Sequence, residues 1–397
     1  MRLASVILDI PTQALDAPYT YVVPDEEDGV DAPIEVGCAV VVPFGGRRAV
    51  GFVVGLEERD EDRFPAGIDP SKLKRIERAA SRPYFDEEGA ACAQWMAERY
   101  IAPLSSCVRL FTPPGGVPRM VRGREGGWRL EEPKVGEVDD RWVVPGPAFD
   151  DFAPRKNAVR QAAIVEALRG GEVRVAELAV EYGAVSGALK ALEKQGVVRV
   201  ETRRRMRGAQ TQRTREDFAP SPKPALTEGQ ARALEAIETA RARRAGEVVL
   251  VDGVTGSGKT EVYLQAIEAV LAEGRTACVL VPEISLTPQT VARFRGRFGD
   301  TVAVMHSRMG AGERYDQWDF IRSGAARVVV GARSALFTPM RDVGLIVIDE
   351  EHEGSYKQDS APRYHARDVA VWMARRAGAT VVLGSATPSI ETLYACA

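Results

Sequence analysis

Cysteine is scarce. The five residues, Cys38, Cys92, Cys107, Cys278 and Cys396, are scattered with no C-x-x-C pair, which excludes a disulfide framework and a thiolate-held metal site and fits a reducing cytoplasm. No apolar run reaches the roughly 18 residues that a membrane helix needs, and the opening segment MRLASVILDIPTQ is broken at Asp9 and Pro11. Neither a membrane span nor a signal peptide is expected. An excess of positive charge is missing too: 53 Lys and Arg face 56 Asp and Glu, a net −3, which argues against a generally basic protein that coats nucleic acid. Low-complexity composition is absent, since 45% hydrophobic residues, 27% charged residues and 24 prolines describe an ordinary globular chain. At about 150 residues per domain, 397 residues hold two or three domains, each with its own core.

What is present is unevenly spread. Between Arg199 and Arg215 seven arginines (199, 203, 204, 205, 207, 213 and 215) meet one acid, Glu201, a local charge of +6. Acidic runs at Asp25 to Asp28 and Glu57 to Asp62 balance it. A basic run of this kind is either a solvated face or a nucleic-acid contact. Residues 1–112 read as a small β-rich domain, with short valine- and aromatic-rich strands at Ala4 to Ile10, Tyr19 to Val23, Ala39 to Pro43 and Val50 to Leu56, followed by a helix from Asp86 to Tyr100. Residues 113–154 have the Pro, Gly and Arg content of a linker, with one short strand pair around Trp128 and Trp142. In 155–215 apolar spacing predicts three short helices: Ile164 and Leu168 mark the first, Val175 and Leu178 the second, and Val185, Leu189 and Leu192 the third. The third ends at Gly196 and runs into VVRVETRRRMRG, a β-prone pair of segments loaded with arginine. That layout is a winged helix-turn-helix with a basic wing, whose third helix could touch DNA through Lys190 and Lys194; the alternative is a three-helix interaction module with a solvated tail. From 220 to 397, after Pro220-Ser221-Pro222, apolar segments alternate with helical ones in the manner of a doubly wound parallel α/β sheet, whose ligands bind at the carboxyl ends of the strands.

Two motifs fall at such ends. Gly253-Val254-Thr255-Gly256-Ser257-Gly258-Lys259-Thr260 follows the strand VVLVD and opens a helix, the context of a phosphate-binding loop. Its glycines let successive N–H groups converge on phosphate oxygens, Lys259 reaches the β and γ phosphates, and the Thr260 hydroxyl ligates Mg²⁺. The strand ending at Ile348 delivers Asp349-Glu350-Glu351-His352. Hydrolysis needs one carboxylate for the Mg²⁺ shell, Asp349, and a second to orient and deprotonate water, Glu350. A solvated acidic loop is the competing reading, and the phosphate loop upstream weighs against it.

The acidic box, with GVTGSGKTEVY before it and GSATPS (Gly384 to Ser389) after it, resembles the superfamily 2 helicases. With LVPEISLTPQ (Leu280 to Gln289), HSRM (His306 to Met309), GARSALF (Gly331 to Phe337) and SYKQDSAPRYHARDVA (Ser355 to Ala370), the full set is similar to the primosomal replication-restart helicase family. The N-terminal LDAPYTYVVP and VVPFGGR resemble that family's domain for the 3′ end of DNA. The resemblance implies one RecA-like lobe, ATP and Mg²⁺ as cofactors, and Gln230 of LTEGQ on adenine. It also implies that His352, Ser385 and Thr387 couple nucleotide state to DNA, and that Tyr356 to His365 form an aromatic-rich loop sensing single strands. In that loop two exposed tyrosines, Tyr356 and Tyr364, can stack on bases while Lys357, Arg363 and Arg367 neutralise phosphates. Glu283, Thr287 and Arg333 would track the DNA backbone by the same resemblance. By the same resemblance Tyr19, Thr20 and Tyr21 fall at the family's aromatic-x-aromatic site for the terminal nucleotide, with Gly45 and Lys74 beside them; the two tyrosines can equally be core residues of a small barrel.

The family expectation is therefore an ATP-dependent 3′-5′ DNA helicase that recognises stalled forks and D-loops and initiates primosome assembly in the cytoplasm. Its partners are forked and single-stranded DNA with a 3′ end, single-stranded DNA-binding protein and other primosome proteins. A second helicase lobe and a zinc-binding region are expected beyond Ala397, so this chain reads as an N-terminal part that binds ATP and DNA with little unwinding. A non-motor winged-helix regulator whose phosphate loop acts as a nucleotide switch is the alternative; it would not require Glu350 or GSATPS. A small-molecule kinase lacks an acceptor-binding segment.

Overall fold

The computed structural model describes residues 1–10, 15–24, 33–60, 72–123, 126–155, 157–207 and 223–396. The acidic run Asp25 to Asp28, the arginines Arg213 and Arg215 and the Pro220 to Pro222 boundary lie outside the described residues. Contacts divide the chain into two compact units, Met1–Val135 with Gln212–Ala397, and Gly136–Thr211.

The first unit begins with strands β1 (Arg2–Leu8), β2 (Tyr19–Val22), β3 (Ala39–Phe44), β4 (Arg47–Glu58) and β5 (Arg78–Ala79). They form an antiparallel sheet in the order β2-β1-β4-β3-β5. Gly45 and Gly46 make the two-residue turn between β3 and β4, both at positive φ (54° and 75°), the primed geometry that matches strand twist and that glycine alone adopts without strain. Helix α1 (Glu87–Tyr100) starts where the Asp86 carboxylate accepts the Gly89 N–H at 2.9 Å, and α2 (Leu104–Val108) follows. Strands β6 (Arg119–Arg122) and β7 (Trp128–Glu131) form a hairpin.

The second unit contains β8 (Asp139–Pro145), α3 (Val159–Arg169), β9 (Val173–Arg174), α4 (Val175–Tyr182), α5 (Ser186–Lys194) and β10 (Val198–Arg204). Its three-stranded sheet runs β10-β8-β9, and Ile164, Leu168, Leu178, Leu189 and Leu192 pack against Val143 and Val198. Gly196, at φ 70°, closes α5. Two expectations are corrected here. The Trp128 and Trp142 segments do not pair with each other, because Trp128 lies opposite Arg122 while Trp142 lies opposite Glu201. Nor does the arginine-rich tail fold on itself as a strand pair: Val198–Arg204 is one strand, and its partner β8 comes from the stretch read as linker.

Back in the first unit come α6 (Glu228–Arg243), β11 (Val248–Asp252), α7 (Lys259–Ala272), β12 (Thr276–Leu280), α8 (Pro288–Phe298), β13 (Val302–Met305), α9 (Ala311–Arg322), β14 (Val328–Gly331), β15 (Val343–Asp349), α10 (Ala366–Ala377), β16 (Thr380–Ser385) and α11 (Ile390–Cys396). The six strands form one parallel sheet, β11-β16-β15-β12-β14-β13, of the RecA-like kind. Both faces are buried, as the continuous apolar runs require. Ala277 and Val279 of β12 enter one core with Ile267 of α7, while Cys278 and Leu280 enter another. That second core is continuous with the N-terminal sheet. Aromatic pairs tie the parts of this unit together: Trp95 stacks on Trp372 at 5.3 Å, Tyr84 meets Trp318 edge-on at 6.0 Å, and Phe111 meets Phe337 at 5.1 Å. Such pairs add about 0.5–1.5 kcal/mol each beyond the area they bury.

Candidate functional site

In the parallel sheet β16 separates β11 from β15, and the register sets Asp252 beside Ser385 and Asp349 beside Gly384. The three carboxyl ends therefore stand level. β11 ends at Asp252 and α7 begins at Lys259, which leaves Gly253 to Gly258 as the loop between them. Gly256 and Gly258 sit at φ 81° and 82°, in the left-handed region that a side chain would strain. The Lys259 ammonium donates to the Gly253 carbonyl at 2.7 Å and lies 3.9 Å from Glu350 Oε1. Gln230 is brought to the same loop: Thr227 and Gln230 form a capping box at the start of α6, and the Gln230 amide donates to the Ser257 carbonyl at 2.8 Å.

Asp349 is half-exposed, and its Oδ1 accepts the Tyr263 hydroxyl at 3.2 Å. Burial, reinforced by the Glu350 charge, raises the Asp349 carboxyl above the ordinary aspartate range. Glu350 holds a left-handed backbone (φ 47°), unusual for a residue with a Cβ. The turn is fixed from both sides, by the Glu351 N–H on the Gly384 carbonyl at 3.0 Å and the Glu353 N–H on the Glu350 carbonyl at 2.9 Å. Residues Thr255 to Thr260, Arg293, Asp349 and Glu350 enclose a cavity of about 440 Å³. The Thr260 hydroxyl and the Asp349 carboxylate are hard oxygen donors on one cavity wall, the donor chemistry that fits Mg²⁺. The three residues expected to couple nucleotide state to DNA also lie together. His352 Nδ1 is 2.7 Å from the buried Ser385 hydroxyl, which accepts the Thr387 N–H at 3.1 Å.

Three residues escaped the sequence reading. Tyr263 follows Lys259 by one helical turn, so its presence on that face of α7 was legible, though its bond to Asp349 was not. Its hydroxyl occupies the space that a Cβ at position 384 would need, which accounts for Gly384. Arg293 enters the cavity from α8 without any motif. Glu351, 2% exposed, accepts the Ser389 N–H at 2.6 Å, the Thr392 hydroxyl at 2.9 Å and Arg367 at 3.3 Å. Burial pulls its carboxyl upward, but these donors outweigh it and hold the group below the usual glutamate range.

The aromatic loop differs most from expectation. Tyr356 and Tyr364 are 1% and 2% exposed, so neither ring is open to stack on a base. The Tyr356 hydroxyl is shared between the carbonyls of Asp349 (2.6 Å) and Leu280 (3.1 Å), while Tyr364 meets Phe337 edge-on at 5.0 Å. A tyrosine carries a large apolar body with one polar tip, and here the core takes the body while strand ends take the tip. Arg367 also departs from its phosphate-neutralising part, being held by Glu351, Ser389 and Thr392. The Arg333 guanidinium donates to the Ser355 carbonyl at 2.9 Å, to the Lys357 carbonyl and to the Gln358 side chain. Lys357 and Arg363 are exposed. Thr287 caps α8, and Glu283 accepts the Ser307 hydroxyl.

In the N-terminal sheet Tyr21 is buried, its hydroxyl donating to the Pro43 carbonyl at 3.3 Å. Tyr19 is half-buried against Phe44 at 5.1 Å, next to the open turn at Gly45. Thr20, on the opposite face of β2, and Lys74, whose carbonyl accepts the Val22 N–H, are exposed.

A phosphate loop and an acid box at the carboxyl ends of one parallel sheet define a P-loop nucleotide domain, and residues 227–395 match the DEAD/DEAH box helicase family. Residues 5–113 match the 3′ DNA-binding domain (3′BD) family. Replication restart protein PriA of Bacillus subtilis is 34% identical over 99% of this chain and 54% of its own length. The protein of that name from Haemophilus influenzae is 34% identical over 99% of this chain and 50% of its own, and that from Chlamydia trachomatis 45% identical over 44% and 23%. Over nearly its whole length the chain is similar to the PriA replication restart proteins. It spans about half the length of the full-coverage relatives it matches.

Proposed function

We propose that this chain is the ATP- and DNA-binding portion of a replication-restart DNA helicase that moves 3′ to 5′ and acts at stalled forks and D-loops in the cytoplasm. The observation that carries this reading is the single cavity shared by the phosphate loop, Asp349 and Glu350, with Lys259 3.9 Å from Glu350. In this reading Lys259 and the loop N–H groups take the triphosphate and Gln230 takes adenine. Thr260 and Asp349 would hold Mg²⁺, which when bound would supply positive charge to the phosphates. Glu350, kept at the cavity wall by its left-handed turn, orients and deprotonates the attacking water. His352, Ser385 and Thr387 relay the state of this cavity toward DNA.

Residues 1–112 act as the 3′-end-binding domain, with Tyr19, Thr20, Gly45 and Lys74 at the DNA face and Tyr21 as its support. The three helices and three-stranded sheet of Gly136–Thr211 act as a winged helix, and 220–397 as the first helicase lobe. The exposed Lys357 and Arg363, with Glu283, Thr287 and Arg333, border the DNA path. Single-stranded DNA-binding protein and primosome proteins are the partners in this reading.

The test is electrophoretic binding to a fork with a 3′ end at its junction, compared with blunt duplex at the same stated salt, because phosphate contacts are strongly salt-dependent. A preference of about ten-fold or more for the fork is expected, corresponding to a few specific contacts at about 1.4 kcal/mol per decade. Equal affinity for the two would contradict the assignment.

A further inference from the structure

Five charged side chains line the nucleotide cavity: Lys259, Glu261, Arg293, Asp349 and Glu350. Four of them are engaged. Lys259 donates to the Gly253 carbonyl and faces Glu350, Asp349 accepts the Tyr263 hydroxyl, and Glu261 accepts from Arg297 and, at 2.8 Å, from the Gln265 amide. Arg293 alone makes no hydrogen bond or ion pair among the described residues. Its neighbour shows why. Arg297 lies four residues along α8 and so on the same face, and its 6% exposed side chain takes both Glu261 and, at 3.3 Å, Glu268. The acids that Arg293 could have used are already answered, and its own side chain is left exposed at the cavity wall.

An exposed arginine on a helix is ordinarily solvated, and the order of the sheet sets this one apart. Gln230 reaches the phosphate loop from α6, which packs on β11 and β16. Helix α8 follows β12, beyond β15 and its acids. A nucleotide with adenine at Gln230 therefore runs its phosphates from the loop toward the acids, and the last phosphate arrives at the end that Arg293 borders. A terminal phosphate offers three acceptor oxygens and most of its charge there. Lys259 and the loop N–H groups approach it from the β11 side, and Arg293 is the one cation on the opposite wall. A guanidinium is built for that partner, since its planar fork donates to two phosphate oxygens at once.

We propose that Arg293 is a specificity-determining residue of this cavity: its guanidinium donates to the terminal phosphate of a bound nucleoside triphosphate and makes the site prefer the triphosphate to the diphosphate. This rests on the nucleotide reading above and adds to it a cation from a helix that carries none of the motifs.

In the test, the full chain is titrated by calorimetry with a non-hydrolysable β,γ-imido analogue of ATP and, separately, with ADP, both in the presence of Mg²⁺. Arg293→Ala should weaken the triphosphate analogue about ten-fold, as for loss of a charge-assisted hydrogen bond, and ADP less than about two-fold, so that the ratio of the two affinities falls. Arg293→Lys, which keeps the charge without the fork, should fall between the parent and Arg293→Ala. The side chain is exposed, so both variants should melt with the parent. An arginine acting only through its field would weaken both nucleotides alike, and raised salt would screen the loss. That result, or an unchanged ratio in Arg293→Ala, overturns the inference and leaves the site reading standing. A parent chain that binds neither nucleotide overturns both.

Discussion

The nucleotide cleft and the arginine-rich strand β10 both advertise themselves by charge, yet their cations are used in opposite ways. In the cleft Lys259 donates to a backbone carbonyl and stands 3.9 Å from Glu350, while Asp349 is left with a raised proton affinity. In the second unit Arg203 is held by Glu172 and Glu201 and lies over the Trp142 ring at 5.5 Å. Arg205 and Arg174 both reach Asp140. In the cleft two carboxylates share one ammonium, a deficit of positive charge that Mg²⁺ would meet, whereas much of the charge on and beside β10 is answered within the fold. A basic run thus overstates what is offered to a ligand when its acids come from distant parts of the chain.

That contrast can be pressed from its strongest consequence to its weakest. Among the ion pairs of the described residues the most buried partner is Glu351, so Arg367→Met should cost about 3 kcal/mol by leaving a buried carboxylate without its cation. Glu351 has a depressed carboxyl, so its contribution is present above the unfolded glutamate value and is lost as pH falls through the folded one. Chemical denaturation at pH 7 and at acid pH checks this; an unchanged stability at pH 7 would show that the ion pair is idle. Next, the Tyr263 hydroxyl lowers the otherwise raised Asp349 carboxyl, so Tyr263→Phe should raise it further. Mg²⁺-dependent triphosphate binding, which needs the ionised carboxylate, falls off on acidification, and in the variant that fall should begin at higher pH. A midpoint that stays or moves down would remove Tyr263 from this part. The smallest effect belongs to Arg203→Gln. An arginine that neutralises a phosphate lowers the salt slope of DNA binding by about one when removed. Arg203 is already paired, so the slope should hardly change; a full unit of loss would show that the pairs open on DNA.

The legible parts were those in which local sequence dictates backbone. The strand Val302–Met305 and the phosphate loop follow directly from valine runs and glycine placement, and the helix α1 from Asp86 at its cap. The acid box was readable as a motif, with Asp349 and Glu350 assigned to the cleft, but the place of Glu351 was not. Glu350 faces the cleft and Glu351 the core because the chain turns left-handed between them, and that turn leans on Gly384, a residue more than thirty positions away. Long-range partners also explain the misread elements. Trp142 and the arginine strand find each other across three helices, and Tyr356 and Tyr364 look like exposed stacking residues among Gln, Asp, Ser and Lys until Phe337 and the ends of β12 and β15 are in place. Spacing shows which residues share a face. It does not show which face the rest of the molecule covers.

The central claim is that the Gly253 to Thr260 loop and the Asp349–Glu350 pair form one Mg-triphosphate site. Equilibrium binding of a fluorescent ATP analogue, with Mg²⁺ and with the metal chelated, tests it on the parent chain and on Lys259→Ala. Binding should require Mg²⁺ and weaken about a hundred-fold in the variant, the upper range for a lost charge-assisted contact, while the fork preference persists. Equal affinity in the two chains, or binding indifferent to the metal, would contradict it.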